Sequence, residues 1–333
     1  MPGIGSSRFA RFVLATTALF CFTASRSGFA QAPAARPQTT PMAATGLDAS
    51  VAQGFPRSIL SWKAVPKANP VFQGAAGDAW DAKIRERGWI VREADSWRLY
   101  YTGYNVARTD LRMLGVAVSS DGLNWTRLGD RPLVDDQWIE DMMILKHDGQ
   151  WIMVAEGRGD VAHSFVSADG LQWRREGPLD IRKTSGEPID DGPRGTPFLM
   201  FENGVWSLFY ERGDAGVWLA RSRDRKVFTN VSDDPVIPVG PDVYDKGAVA
   251  LNQIVKIDGK YVAVLHANET RPFGPFWTTT LAVSDDLLKW TKAEANPILG
   301  NNSSSGQFVE ISPGRWRLYT MHPEVRAFVP ATN

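Results

Sequence analysis

The residues of this chain best suited to chemistry are carboxylates placed at the ends of strongly β-prone segments. Four of them, Asp81, Asp141, Asp191 and Glu211, are candidate catalytic groups. Two carboxyl groups can cleave a glycosidic bond. One, with a raised pKa, protonates the leaving oxygen, and the other activates water or attacks the sugar directly. A third carboxylate can tune the pKa of that acid by like-charge proximity.

Other residue types near these acids suit the binding of a sugar. Tryptophan rings can stack on a sugar face, and the arginine fork matches planar anions such as a uronate or a sulfate. The candidate substrate contacts are Trp80, Trp138, Glu140, Arg158, Arg194 and His266. Because side chains alternate along a strand, Glu140 and Asp141 should point to opposite faces and are rivals for one inward position. No spacing resembles a dedicated metal motif, so we expect no cofactor, although the acids leave room for a central Ca²⁺ or other metal ion.

The overall composition excludes one class of partner. Lysine plus arginine balances aspartate plus glutamate, 37 against 37, so no basic field exists to attract nucleic acid. Thirteen Trp and sixteen Phe are many for a chain of this size, and aromatic residues are enriched in strands. We therefore expect a strand-rich protein that binds a carbohydrate and works as a monomer.

The first residues are typical of an export signal. Arg8 and Arg11 precede an apolar run over 12–24, and small residues follow with an Ala-Gln-Ala pattern at 30–32. We predict a signal peptide over 1–32, a secreted or periplasmic location, and no membrane contact after cleavage. Residues 33–55, rich in Ala, Pro, Gln and Thr, are predicted to be a disordered linker.

The elements that must position the acids are set by an internal repeat. One turn type combines a serine, an acidic turn and an aromatic residue, and it occurs at 119–125, 167–173, 222–228 and 284–290. A second turn precedes a β-prone strand at 94–97, 148–151, 203–206, 258–261 and 313–316. Each unit therefore consists of four strands, with tight turns after the first and the third. That unit is one antiparallel blade of a propeller.

The two ends of the chain complete each other. There are five turns of the second type, yet the last unit lacks its fourth strand, and 61–72 matches 289–299 closely. We predict an all-β, five-bladed β-propeller over 56–333, closed by the N-terminal strand pairing into the last blade. Closure removes exposed sheet edges. A β-sandwich is the alternative, but it does not require matching strands at opposite ends.

Strand direction then sorts the polar residues onto one face. The starts of the first strands and the ends of the second strands share that face, and these segments carry the candidate acids, arginines and histidines. Functional residues concentrate on loops held by a rigid scaffold. The sequence thus predicts a carboxylate-lined central funnel.

This arrangement resembles the arabinanase–invertase superfamily, which includes the family-43 glycoside hydrolases. The segment 138–151 is similar to the Trp-Ala-Pro-Asp-Val segment of that family, and the resemblance implies that Asp141 is the pKa-modulating aspartate. Two positions depart from the family pattern. Asp81, in the place of the base, is followed by Ala82 rather than proline, and Glu86 and Arg87 occupy the nominal register of the first inner strand.

The second departure concerns the general acid. Asp191 precedes Gly-Pro where the family has a glutamate, and Glu187 and Glu211 are its neighbours. We predict a glycoside hydrolase that acts on a poly- or oligosaccharide by carboxylate acid/base catalysis. The alternatives are a polysaccharide lyase with an arginine clamp at Arg158 or Arg194, a glycoside phosphorylase, and a glycan-binding propeller without catalysis.

Overall fold

Five antiparallel sheets account for most of the chain in the computed structural model, which describes residues 44–331. One α-helix, α1 (Ala44–Ala52), precedes the strands, and 3₁₀ turns occur at Arg57–Ile59 and Val243–Asp245. The strands are β1 (Trp62–Ala64), β2 (Lys83–Arg92), β3 (Trp97–Tyr104), β4 (Met113–Ser119), β5 (Thr126–Arg127), β6 (Glu140–His147), β7 (Gln150–Gly157), β8 (Val161–Ser167), β9 (Arg174–Pro178), β10 (Asp180–Arg182), β11 (Gly195–Glu202), β12 (Val205–Glu211), β13 (Gly216–Ser222), β14 (Val227–Asn230), β15 (Ile237–Pro238), β16 (Ala248–Ile257), β17 (Lys260–Asn268), β18 (Thr278–Ser284), β19 (Thr291–Lys292), β20 (Gln307–Ser312), β21 (Arg315–Thr320) and β22 (Arg326–Pro330).

The sheets are the blades of a five-bladed β-propeller. Blade 1 is β2–β5, blade 2 is β6–β9, blade 3 is β11–β14 with β10 and β15 added, blade 4 is β16–β19, and blade 5 is β20–β22 with β1. The innermost strands β2, β6, β11, β16 and β20 contact one another in that order, and β20 returns to β2. The predicted fold class and blade count are therefore confirmed.

The ring is closed by the N-terminal strand, as predicted. Strand β1 pairs antiparallel with β22, with Trp62 opposite Pro330. The Asn69 side chain extends this pairing, because its amide donates to the carbonyl of Ala327 at 2.9 Å and accepts from the Ala327 N–H at 2.7 Å. The Trp62 ring also stacks on Phe308 of β20 at 5.2 Å between centroids. The first and the last strand of the described residues thus lie in one blade.

The repeated serine–aspartate turns join the third and fourth strands of a blade. In blade 1 the Ser119 hydroxyl accepts the N–H of Gly122 at 2.9 Å, and the Asp121 carboxylate accepts the N–H of Leu123 at 2.7 Å. Equivalent bonds occur in the turns that begin at Ser167, Ser222 and Ser284. Such side chains satisfy backbone donors that a tight turn leaves unpaired. The strongest sequence repeat therefore serves the fold and lies outside the site.

Part of the predicted disordered linker is ordered. Residues 44–52 form α1, Phe55 is 1% exposed, and the Ser50 hydroxyl accepts the N–H of Ala295 at 2.9 Å. The prediction of disorder over 33–55 is wrong for residues 44–55, because a few apolar side chains in a polar segment suffice to bury it against blades 4 and 5. The predicted signal peptide and residues 33–43 lie outside the described residues. No helix within 44–331 is long and apolar enough to cross a membrane.

Candidate active site

A cavity of about 360 Å³ opens at the end of the propeller where the innermost strands begin. Its lining includes seven carboxylates: Glu86, Glu140, Asp141, Glu156, Asp160, Glu211 and Asp214. The basic lining residues are Arg85, His266 and His322, and the aromatic ones are Phe273 and Trp277. Thr196, Gly213, Ser304 and Ser305 complete the wall. Within the described part of the chain, no group of three or more His, Cys, Asp or Glu residues has the arrangement of a metal site.

The innermost strands of blades 1 to 4 are irregular where they meet the cavity. Their pairing registers shift at 86–88, 141–142, 196–197 and Asn252. Glu86, Asp141 and Thr196 have left-handed backbone conformations, with φ of 58°, 44° and 43°. Bulges of this kind re-aim side chains beside active sites. As a result Glu140 and Asp141 both line the cavity. The prediction that only one of them points inward, which assumed strict alternation of side chains, is wrong.

Glu86 is the carboxylate of blade 1 in the cavity. Its Oε2 lies 3.3 Å from Nδ1 of His322, and Oε1 is bound by the guanidinium of Arg85. Burial alone would raise the pKa of Glu86, but the bond to His322 and the charges of His322 and Arg85 outweigh it and lower the pKa to about 2. Glu86 is therefore ionised at neutral pH.

Two further carboxyl groups meet on the side of blades 2 and 3. Glu156 Oε2 accepts the N–H of Thr196 at 3.0 Å, and Glu211 Oε1 accepts the N–H of Gly195 at 3.1 Å. A Cβ at position 195 would collide with an oxygen of each, so a larger residue there would displace both carboxyl groups. Burial, with the charge of Asp141, raises the pKa of Glu156 well above its ordinary value. Burial, with the charge of Asp214, raises that of Glu211 to about 8.

Asp141 lies between these groups, on blade 2. Its Oδ1 accepts the backbone N–H of Arg87 at 3.2 Å. Burial and the charge of Glu86 raise the pKa of Asp141 to about 6, against the opposing charge of Arg87. The negative charge of Glu86 therefore favours the protonated form of Asp141.

Glu140 is held at the side of the cavity by arginines. Its Oε1 lies 2.9 Å from Nε of Arg85 and 3.4 Å from Nε of Arg112, and its Oε2 accepts from Nε1 of Trp138 at 2.7 Å. Burial nevertheless raises the pKa of Glu140 to about 7. Trp138 lies behind Glu140, with the guanidinium groups of Arg112 and Arg158 over its ring.

His266 occupies the blade 4 side. Its Nδ1 lies 2.9 Å from the side-chain amide of Asn252, whose NH₂ donates to that nitrogen, so Nε2 carries the proton toward Asp214 Oδ1 at 3.4 Å. Burial would lower the pKa of His266, but the bond to Asp214 outweighs it and the pKa is raised. The Trp277 ring packs edge-on against the imidazole at 5.2 Å.

Asp81 does not reach the cavity. It is 2% exposed, its Oδ2 accepts from the Tyr101 hydroxyl at 2.9 Å and from Arg127 Nε at 2.6 Å, and Trp80 stacks on the same tyrosine. The prediction that Asp81 and Trp80 lie in the funnel is wrong. The segment that leads into β2 packs against the other strands of blade 1, so both side chains contact Tyr101 or Arg127 instead of the cavity. The bulge at Glu86 then presents that residue instead.

Four other predicted residues also lie outside the cavity lining, and one of them is Trp138, which reaches the site only through its bond to Glu140. Asp191 is exposed, and its carbonyl accepts from Arg212 at 3.3 Å. Arg158 pairs with Asp110 at 3.0 Å and covers Trp138. Arg194 donates its backbone N–H to Asp160 at 2.7 Å, and its side chain does not line the cavity. Of the predicted set, Asp141, Glu140, Glu211 and His266 are brought together.

The sequence repeat contained a signal for Glu156, a cavity residue that was not among the predicted site residues. Glu156, Glu211 and His266 each lie five residues after the aromatic residue that opens the second strand of their blade, namely Trp151, Trp206 and Tyr261. All three line the cavity. An equal-register comparison of the blades would have selected Glu156. Phe273 and Trp277 had no such signal, because they lie on the irregular loop between β17 and β18.

Comparisons with known proteins support the fold. No family model matches the chain. The uncharacterized proteins Rv1502 and MT1551 of Mycobacterium tuberculosis are each 26% identical over 201 residues, which cover 55% of this chain and 66% of theirs. The match thus spans slightly less than two thirds of these relatives.

Solved structures with this fold include carbohydrate-active enzymes. A glycosyl hydrolase from Bacteroides ovatus has a TM-score of 0.66 at 15% identity, covering 81% of this chain and 93% of that one. A structure from the GH130 family of mannoside phosphorylases, which contains glycoside hydrolases that target β-1,2-mannosidic linkages in Candida mannan, has a TM-score of 0.62 at 13% identity, covering 82% and 94%. The GH43 protein BlXynB from Bacillus licheniformis has a TM-score of 0.54 at 16% identity, covering 76% and 50%. The predicted resemblance to family-43-like propellers is confirmed for the fold.

Proposed function

We propose that the protein is a glycoside hydrolase whose reaction takes place between Glu86 and the pair Glu156 and Glu211. The observation that carries this proposal is the lining of one cavity by carboxyl groups from three blades, whose surroundings shift their pKa values in opposite directions. Environments that push titratable groups apart assign the acid and base of a site. Glu86 belongs to blade 1 and the pair to blades 2 and 3, so a sugar in the cavity can lie between them.

Glu86 is the group that acts on the anomeric side. As a carboxylate it either activates a water molecule or attacks the sugar carbon. His322 and Arg85 stabilise its charge without taking its place in the cavity. The sequence predicted this role for Asp81. We assign it to Glu86, because Glu86 lines the cavity and Asp81 does not.

The pair Glu156 and Glu211 supplies the proton for the leaving oxygen. Two carboxyl groups that close over one backbone position cannot both ionise readily, so at least one proton stays on the pair near neutral pH. Asp141 lies beside Glu156 and raises its pKa by like-charge proximity. Asp141 thus keeps the modulating role that the sequence resemblance implies.

The blade 4 side of the cavity fits a sugar ring. Phe273 is 44% exposed, and its ring lies 5.0 Å from that of Trp277, so the two form an aromatic surface at the cavity mouth. Aromatic faces combined with convergent polar groups are typical of ligand pockets, and 360 Å³ lies at the small end of their range of about 300–1,000 Å³. The size favours a short oligosaccharide or one chain end.

The charges in the cavity disfavour phosphorolysis. The three basic lining residues are already paired with acids: Arg85 with Glu86 and Glu140, His266 with Asp214, and His322 with Glu86. A phosphate ion would meet seven carboxyl groups, Glu86 among them ionised, and no uncommitted cation among the described lining residues. The lyase alternative is weakened because Arg158 and Arg194, its predicted uronate clamps, do not line the cavity.

We also propose that the enzyme is exported, with residues 1–32 removed, and acts as a monomer. Fractionation of cells and N-terminal sequencing of the mature protein test the export. A panel of oligosaccharides, incubated in phosphate-free buffer and again with phosphate, tests the reaction. Hydrolysis predicts a free reducing sugar in both buffers. A sugar 1-phosphate formed only with phosphate, or an unsaturated product absorbing in the ultraviolet, would overturn the hydrolase proposal.

A further inference from the structure

Arg87 is a buried cation that does not line the cavity itself but binds Asp141, which does. Its side chain is fully buried, and within the described residues its guanidinium forms no ion pair with a carboxylate. Its guanidinium donates instead to backbone carbonyls of three other blades. The acceptors are Asp141 of blade 2, Pro197 of blade 3 at 2.8 Å, and Leu251 and Asn252 of blade 4 at 3.0 and 2.9 Å.

The acceptors coincide with the bulges of the innermost strands. Asp141, Pro197 and Asn252 are the residues, or part of the residues, that shift the register in blades 2, 3 and 4. Arg87 itself belongs to the bulge of blade 1. The Arg87 side chain therefore connects the irregular segment of blade 1 to those of blades 2, 3 and 4.

Each connected segment carries or holds a cavity group. Asp141 is one such group, and its backbone carbonyl and carboxylate both bind Arg87. The amide of Thr196, next to Pro197, binds Glu156. The side chain of Asn252 binds His266.

We propose that Arg87 is the positioning residue of the site, which sets the relative placement of Asp141, Glu156 and His266. Only the expected effect on kcat rests on the proposed function. Arginine suits this place because its planar fork presents five donors in fixed directions, whereas lysine presents a single ammonium point. The guanidinium also adds a positive charge near Asp141 and Glu156.

Two variants separate geometry from charge. Arg87→Lys keeps the charge but cannot bind four carbonyls from three blades, so we expect kcat to fall about 10- to 100-fold with KM within about threefold, since small misplacements of reacting groups cost that much. Arg87→Met removes the charge as well, and we expect the pKa of Asp141 to rise relative to wild type. Arg87→Lys should leave that pKa near its wild-type value.

The measurements are steady-state kinetics and the pH titration of the Asp141 carboxyl carbon by ¹³C NMR, assigned with Asp141→Asn. Arg225→Lys is the matched control, because Arg225 also joins two blades, binding Ser164 at 2.8 Å, and lies outside the cavity lining. It should lower Tm without changing kcat. If Arg87→Met does not fold, the kcat and KM of Arg87→Lys decide.

Two results would overturn the proposal: Arg87→Lys with wild-type kcat and a lower Tm, or Arg87→Met with an unchanged Asp141 titration. If no glycan is a substrate, the proposed function is wrong. The Asp141 titration does not depend on turnover, so it still tests the role of Arg87.

Discussion

Glu156 and Glu211, from neighbouring blades, bind two consecutive backbone amides, those of Thr196 and Gly195. In the chain they are 55 residues apart, yet they hold the same relative position in their blades. The inner strand of blade 3 has no acid at its bulge, where Thr196 stands. Carboxyl groups from the ends of two second strands fill that space instead. The acid side of the site is thus built from two blades.

Replacement of Glu86 should abolish most of the turnover. In Glu86→Gln the side chain keeps its size and loses the charge that acts on the sugar, so we expect kcat to fall by about 10²- to 10⁴-fold. Because the contacts with His322 and Arg85 are also weakened, Tm should fall as well. Initial rates on the substrate found in the oligosaccharide panel measure this effect.

Asp81→Asn is the matched comparison for Glu86→Gln. It weakens the buried contact with Arg127 and Tyr101, so Tm should fall while kcat stays within about threefold of wild type. The reverse pattern, with Asp81→Asn inactive and Glu86→Gln active, would show that the first inner strand is wrongly assigned.

The proton donor can be assigned with substrates of different leaving groups. Glu156→Gln and Glu211→Gln should each lower kcat on a sugar leaving group, because the proton that the pair keeps is lost or misplaced. A substrate with a nitrophenolate leaving group needs no protonation, so the variant that lacks the true donor should recover on it by about 10²-fold or more.

Asp191→Asn serves as the control for the donor assignment, since Asp191 is exposed and outside the cavity. It should behave as wild type on both substrates. Recovery of neither glutamine variant on the activated substrate would remove the pair from the role of donor.

The sequence predicted the scaffold well because the scaffold repeats. Five turns of one type and four of the other specified the number of blades, and the match between 61–72 and 289–299 specified the closure. Helix α1 escaped prediction, since its composition is that of a linker and only Phe55 and a few neighbours tie it to the core.

The site was predicted only in part, because bulges decide which side chains face the cavity. Strict alternation separates Glu140 from Asp141, yet the shift at 141–142 brings both inward. In blade 1, three residues of β2 lie opposite one residue of β3, and this bulge directs Glu86 rather than Asp81 into the cavity. A pattern of period two contains no information on an inserted residue.

The protonation of Glu211 should make the stability of the protein decrease as the pH rises from about 4.5 to about 8. The folded-state pKa of Glu211, about 8, is above its ordinary value, so the native state binds the proton more tightly. The stabilisation is complete below about pH 4.5 and is lost as the pH rises through 8. Tm measured from pH 5 to pH 9 should fall, and Glu211→Gln, which stays neutral, should flatten that fall. An equal slope in wild type and variant would contradict the raised pKa.

The N-terminal segment should be needed for folding from about residue 44 onward. Removal of residues 1–43 should leave Tm of the propeller unchanged. Removal of residues 1–75 deletes α1 and β1 and exposes the edge of β22, so we expect aggregation or loss of cooperative unfolding. Thermal scans and size-exclusion chromatography distinguish these outcomes. A fully stable 76–333 fragment would show that β1 does not close the ring.

The central claim is that an ionised Glu86 lies opposite a pair that keeps a proton, and infrared spectroscopy at pH 7 tests it most directly. Protonated carboxyl groups absorb apart from carboxylates, so the difference between wild type and each variant reports the state of one residue. The account predicts that Glu156→Gln or Glu211→Gln removes intensity from the protonated band, whereas Glu86→Gln removes it from the carboxylate bands. Loss of protonated intensity in Glu86→Gln, with none in either variant of the pair, would contradict it.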